Sequence, residues 1–337
     1  MREILAYKDR FSAFDSLYLG GGTPSVLGER DLATLFEGIF RHFSFSPDTE
    51  ITIEANPDDI TREKLELLKA LGVTRISLGV QSFDSSELLS LGRRHTARQT
   101  EQALEKIREC GFANLGMDLM YGLPGQQTSG WVRNMTRALE FRPEHLSCYQ
   151  LTLQEETPLG KMLAEGQINP LVEEDERTFF MLTAKFLEER GYIHYEISNF
   201  ARQEAYMARH NRKYWRRASY LGLGPAAHSL HENVRWWNVN CVKTYCKMLD
   251  RDTLPVAGSE RISEDQQRLE SLFLGLRTRE GIDLSLLPRR PGANKVLAQL
   301  QAANLVEVYG ARVIPTREGF AVADSLPLLF PDFPMDS

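Results

Sequence analysis

The sequence is poor in the features that declare a chemistry most directly. Its 337 residues include only four cysteines, Cys110, Cys148, Cys241 and Cys246, with neither a CxxC pair nor the cysteine and histidine spacing of a zinc site. That argues against a disulfide framework and against a metal or cluster site. Cys241 and Cys246 are near in sequence, yet all four read best as lone thiols of a reducing compartment. No run of about 18 apolar residues is present, so no transmembrane helix of ordinary length is expected. The N-terminus lacks the basic-then-apolar pattern of a signal peptide, which points to the cytoplasm. Positive charge is short as well: 40 Lys and Arg stand against 46 Asp and Glu, a net charge of −6. A broad nucleic-acid-binding surface is therefore not expected.

What is present centres on Ser16 to Ser25, SLYLGGGTPS. Leu17, Tyr18 and Leu19 read as a short buried strand, Gly20 to Gly22 as a turn whose N–H groups a ligand can approach closely, and Thr23-Pro24 as the lead into a helix. A tight strand-to-helix turn without ligand fits the stretch equally well. A dinucleotide fingerprint does not, because Ser25 stands where the third glycine belongs and the acidic candidate at the end of the next strand, Glu54, comes too late.

Strand and helix patterns alternate from there. Ile4, Leu5, Phe11 and Phe14 suggest one apolar helix face over residues 1–14, without an N-cap. Leu32, Leu35, Phe36, Ile39, Phe40 and Phe43 recur at helical spacing. Strands are expected at Glu50 to Ile53, Arg75 to Gly79, Asn114 to Leu119 and His145 to Leu151, with helices between them. Asp84 with Glu87 and Thr96 with Gln99 have capping-box spacing, and Gly72 and Gly111 stop helices. Strands at βαβ spacing predict a parallel sheet, open or closed into a barrel. Gly20 to Thr23, Glu54, Gln81, Asp118 and Tyr149 to Thr152 fall at the ends of successive strands, where (β/α) barrels bind ligands. Each has a plainer role as a turn cap or a satisfied buried carboxylate.

Further on, a helix is expected over 174–190 and a strand over Tyr192 to Ile197. His210-Asn-Arg-Lys-Tyr214-Trp215 sets an imidazole beside two aromatics, suited either to a planar cofactor or to ordinary packing. From Ser263 two helices and a hairpin over Leu305 to Pro315 predict a small winged-helix-like appendage, and the proline-rich Leu326 to Ser337 an extended or disordered tail.

Taken together, YLGGGTPS (18–25), TIEANP (52–57), RISLGVQSFD (75–84), LGRRH (91–95), MDLMYGLPGQ (117–126) and HNRKYW (210–215) resemble the radical S-adenosylmethionine proteins related to oxygen-independent coproporphyrinogen III oxidase. Within that family HNRKYW resembles the heme chaperone branch. The resemblance implies an α/β fold: a partial (β/α) barrel over 1–235 and a C-terminal helical, winged-helix-like accessory domain over 236–337. It implies that the Gly21-Gly22-Thr23 backbone, Glu54, Gln81, Arg93 and Asp118 hold S-adenosylmethionine, and that His210 ligates heme. It assigns no catalytic residue.

The family also carries a CxxxCxxC loop whose thiolates hold a [4Fe–4S] cluster, and this sequence has no such loop. With the missing cap near residue 4, this implies a barrel truncated by its first βα unit, with no metal ligands in the chain and no route to a 5′-deoxyadenosyl radical. The expected function is that of a heme chaperone binding heme and S-adenosylmethionine and serving heme-accepting apoproteins, including peripheral contact with membrane-bound ones. The alternative is radical oxidative decarboxylation of coproporphyrinogen III.

Overall fold

The computed structural model describes residues 1–11, 13–288 and 291–330, Pro291 by its backbone alone. The chain divides into two compact units, one made of residues 18–29 and 50–207, the other of 1–17, 30–49 and 208–337.

Five strands follow the chain in order across a seven-stranded sheet: β1 (Phe14–Leu19), β2 (Phe45–Ala55), β3 (Arg75–Gln81), β4 (Leu115–Tyr121) and β5 (His145–Gln150). The β2–β3, β3–β4 and β4–β5 pairs are parallel, as the βαβ spacing requires. The sheet then ends on a feature the alternation did not foretell. Strand β6 (Ile193–Glu196) turns back into β7 (Asn199–Ala201), and β7 pairs antiparallel with both β5 and β6.

Every position of β3 is buried, because a parallel strand is covered on both faces. Successive side chains alternate between those faces. Ile76, Leu78 and Val80, all fully buried, lie on one face, as do Leu115, Met117 and Leu119 of β4. The other face carries Arg75, Ser77, Gly79 and Gln81 in β3, and Gly116 and Asp118 in β4. Buried leucines of the helices Arg62–Ala70 and Ala97–Glu109 extend the apolar layer: Leu65, Leu68 and Leu104. The Thr96–Gln99 capping box forms in full. Asp84 accepts from Ser86 and Glu87 N–H, while Glu87 itself turns to Ser82 and Asn134. Trp131, in the helix Thr128–Glu140, is wholly buried and donates its indole N–H to Thr183 at 2.7 Å.

In the other unit the opening helix is only Arg2–Tyr7; Phe14 already belongs to β1. The single apolar face expected over 1–14 is thus split. Ile4 and Tyr7 bury, Leu5 stays exposed, and Phe11 and Phe14 stack on each other beyond the helix end. The helix Glu29–His42 buries Leu32, Phe36 and Ile39 as its spacing predicts, but Phe40 is 40% exposed. A three-stranded antiparallel sheet of β8 (His228–His231), β9 (Val234–Asn238) and β10 (Val256–Arg261) carried no clear sequence signal, since β10 is mostly exposed and lacks apolar alternation.

The C-terminal segment has the expected plan: the helices Glu264–Gly275, with a complete Ser263–Gln266 capping box, and Pro291–Ala302, then a hairpin of β12 (Val306–Tyr309) and β13 (Arg312–Pro315), with β11 (Ile282–Asp283) added beside β13. Leu272, Leu300, Val306 and Val313 lie in its core. Of the tail expected to be extended, Pro327–Leu329 is a 3-10 turn between buried Leu326 and Phe330, and 331–337 lie outside the described residues.

Candidate functional site

The polar faces of the parallel strands meet because their register is fixed. Glu54 pairs with Ser77, Ser77 with Gly116, and Asp118 with Ser147, so alternate residues of four strands line one surface. At its end lies a cavity of about 280 Å³ lined by Gly22, Thr23, Glu54, Ala55, Asn56, Ser77, Gly79, Gln81, Arg93, Asp118 and Tyr149. Six of the seven residues expected to hold S-adenosylmethionine are therefore together: Gly22, Thr23, Glu54, Gln81, Arg93 and Asp118. The seventh, Gly21, adopts φ +98° and donates its N–H to Glu54 Oε2 at 3.2 Å.

Glu54 is held from two sides. Its other oxygen accepts from the Tyr18 hydroxyl at 2.6 Å, and burial together with the Glu54 charge pushes that phenol far above its ordinary range, so it stays a donor. Gly20 permits the approach: a Cβ there would lie 2.8 Å from Glu54 Oε1 and would overlap the Tyr18 ring edge. Ser77 Oγ donates to Asp118 at 3.2 Å. Burial, assisted by the charge of Glu54, raises the Asp118 carboxyl to about 6, against hydrogen bonds from Ser147 and Ser77 and the charge of Arg75. Burial lowers the Arg93 guanidinium, and the Asp118 charge opposes that shift. Gln81 ends β3 at φ 65°, a left-handed conformation unusual for a residue with a Cβ. The cavity thus offers carboxylate acceptors, one guanidinium and several neutral donors within a small volume.

Asn56, Ser77 and Gly79 were not singled out from sequence, and Tyr149 only as a strand-end residue. All four share the face of Glu54 or Asp118 at even spacing or across a ladder pair, which is the signal that would have found them. Asn56 also joins the turn, donating from Nδ2 to Thr23 Oγ1 at 3.3 Å.

His210 is not among the residues that line this cavity; it belongs to the helix Arg209–Trp215. Its Nδ1 is 3.2 Å from Ser16 Oγ and its Nε2 3.0 Å from the Tyr214 hydroxyl. Burial lowers its pKa to about 4, so the imidazole is neutral at pH 7. The cysteines do not converge: Cys148 is buried in β5, Cys110 half-buried, and Cys241 and Cys246 exposed. Among the described residues no group of three or more His, Cys, Asp or Glu is arranged to hold a metal.

Comparison with known proteins adds the family. Residues 1–134 match the radical SAM superfamily and residues 262–322 the HemN C-terminal domain. The heme chaperone HemW of Mycobacterium tuberculosis is 35% identical over 327 residues, spanning 96% of this chain and 82% of that protein. HemW of Bacillus subtilis is 33% identical over 311 residues, 90% of this chain and 82% of the relative. The mitochondrial radical S-adenosyl methionine domain-containing protein 1 of Bos taurus is 32% identical over 330 residues, 93% and 74%. Among solved structures, coproporphyrinogen III oxidase (HemN) from Escherichia coli superposes with a TM-score of 0.83 at 23% identity, over 98% of this chain and 81% of that one. With such identity maintained across nine-tenths of its length, the chain belongs to the HemW heme chaperone family within the radical S-adenosylmethionine superfamily.

Proposed function

We propose that this protein binds heme and S-adenosylmethionine and delivers the heme to apoproteins. The observation that carries this reading is the 35% identity to a heme chaperone over 96% of the chain. The polar cavity supports the second ligand. Its residues fit a zwitterion that also bears a sulfonium: Glu54 and Asp118 offer acceptors and negative charge, Arg93 a cation for a carboxylate, and the turn the backbone N–H groups of Gly22 and Thr23, while Gly21 N–H holds Glu54 in place. Ser77, Gln81 and Tyr149 add neutral polar groups that can meet ribose hydroxyls. S-adenosylmethionine, when bound, supplies a sulfonium whose C–S bond breaks on one-electron reduction. The chain's part is to grip the methionyl end, orient the ribose and hold negative charge near the sulfonium.

The residues present do not fit a [4Fe–4S] cluster, which takes three or four thiolates at one place, whereas these four cysteines are dispersed. The likeness to coproporphyrinogen III oxidase, at 23% identity, is one of fold, and no observation favours oxidative decarboxylation here.

His210 is our assignment for an iron ligand. Its neutral imidazole is the form that binds iron, but Nε2 must first leave the Tyr214 hydroxyl. We further assign both ligands to residues 1–235, an accessory role to 236–337, and the cytoplasm as the working compartment. Among the described residues no helix is long and apolar enough to cross a membrane. Acceptors in a membrane would be met peripherally.

The test is absorbance titration of the full chain with hemin. A saturable Soret band supports the reading; hemin that stays free or merely aggregates in the presence of the protein overturns it. Isothermal titration with S-adenosylmethionine should give binding in wild type and about tenfold or greater loss in Glu54→Ala, a cost in keeping with a charged hydrogen bond.

A further inference from the structure

We propose that the porphyrin is received in a cavity of about 620 Å³ beside the helix Arg209–Trp215, with Phe11 against its ring and His231 as a ligand to its iron. The proposal rests on the heme reading above for the identity of the ligand, and the location comes from the cavity itself.

A heme needs a flat apolar contact, cations for its two propionates and a nitrogen donor for its iron. The cavity has all three. Its size lies in the range of about 300–1,000 Å³ usual for small-molecule sites. The Phe11 ring stands 5.5 Å from Phe14 and 4.8 Å from the His231 imidazole, centroid to centroid, so two aromatic rings and an imidazole share one wall region. Arg10 and Lys213 line the same space, and Lys213 lies on the helix that carries His210.

The two histidines differ in availability. Both ring nitrogens of His210 are engaged, with Ser16 and with Tyr214. His231, at the end of β8, has its Nδ1 enclosed without a hydrogen-bond partner, which leaves Nε2 as the nitrogen able to reach a ligand. Of the two, His231 lines the open space as the structure stands, whereas His210 could join it as a second ligand only after its Nε2 leaves the Tyr214 hydroxyl.

The charges in the cavity set a second expectation. Lys213 is held in an ion pair by Asp15, which also lines the cavity. A propionate must compete with that carboxylate for the ammonium. Removing the Asp15 charge therefore frees Lys213 for the ligand.

The experiment is hemin titration of the full chain, followed in the Soret band, for wild type, His231→Ala and Asp15→Asn. His231→Ala should weaken hemin binding by roughly tenfold or more and move the Soret maximum, as loss of an iron ligand does. Asp15→Asn should tighten it by about threefold, the scale of one partly exposed ion pair. If His231→Ala binds with unchanged affinity and spectrum, or Asp15→Asn binds no more tightly than wild type, the inference is overturned while the heme reading stands. If wild type itself takes up no hemin, the heme reading fails first. Should His231→Ala not fold, Asp15→Asn still decides, since it removes no apolar contact.

Discussion

The three consecutive glycines of the turn do different work, so replacing each with alanine should fail in a different way. Gly20 sits where a Cβ would overlap the Tyr18 ring edge and lie 2.8 Å from Glu54 Oε1. Those groups are already tied to each other at 2.6 Å, so neither can yield freely. Overpacking of this kind costs about 1–3 kcal/mol. For a unit of this size that lowers Tm by about 2–12 °C, and the displaced carboxylate should weaken S-adenosylmethionine binding as well. Gly21 has open space around it but φ +98°, so alanine there is strained by about 1–2 kcal/mol without any clash. Gly22 has neither a close neighbour nor a positive φ, and it lines the cavity. Gly22→Ala should leave Tm within about 1 °C of wild type yet obstruct the ligand. The assay is thermal unfolding by circular dichroism paired with isothermal titration of S-adenosylmethionine for each variant. Gly20→Ala with unchanged Tm and affinity would refute the reasoning, and so would Gly22→Ala as the least stable of the three.

Asp118, raised to about 6 by burial, should impose a pH dependence on S-adenosylmethionine binding. Its ionised fraction rises from about 0.09 at pH 5 to about 0.91 at pH 7, so affinity for the sulfonium should rise up to about tenfold across that interval. Asp118→Asn should flatten the profile; a flat wild-type profile measured by isothermal titration contradicts the assignment. A carboxyl whose folded pKa is raised contributes most below its unfolded value of 3.8 and loses that contribution as pH climbs through about 6, so Asp118→Asn should also raise Tm at pH 7.5. Glu280 runs the other way. Hydrogen bonds from Arg216, then Arg212, hold it down to about 2, so its stabilisation is present above 4.5 and lost as pH falls toward 2. Glu280→Gln should cost about 1 kcal/mol at pH 7, discounted for solvent exposure, and nothing at pH 2, by denaturant unfolding. Thr183→Val removes the acceptor of the buried Trp131 N–H and should cost about 1–3 kcal/mol; a variant as stable as wild type would show that hydrogen bond to be dispensable.

Much of the fold was legible because parallel strands and their covering helices write opposite periods into the sequence. The strand that starts at Arg75 and the capping box at Thr96 are local signals, and local reading found them. The antiparallel return of β6 and β7 was hidden because nothing local distinguishes a four-residue closing strand from another parallel one. Strand β10, with exposed alternate positions and no apolar alternation, left no period to read. In the cavity, Glu54, Gln81 and Asp118 stood out as polar residues at strand ends. Ser77 did not, being a small hydroxyl in an apolar run; its place follows only from the Glu54–Ser77 register, which is set between strands rather than within one. The engagement of His210 by Ser16, 194 residues away, is invisible to sequence for the same reason.

Delivery is the centre of the account, and a competition measures it. The full chain is loaded with one equivalent of hemin, then mixed with a soluble apocytochrome b and an excess of a spectrally distinct heme scavenger, and the spectra are followed. Delivery by contact predicts that the apocytochrome is reconstituted at a rate that rises with its concentration and is unaffected by the scavenger. Heme that passes to the scavenger first, with the apocytochrome left unfilled, would contradict the claim that this protein hands heme to an acceptor.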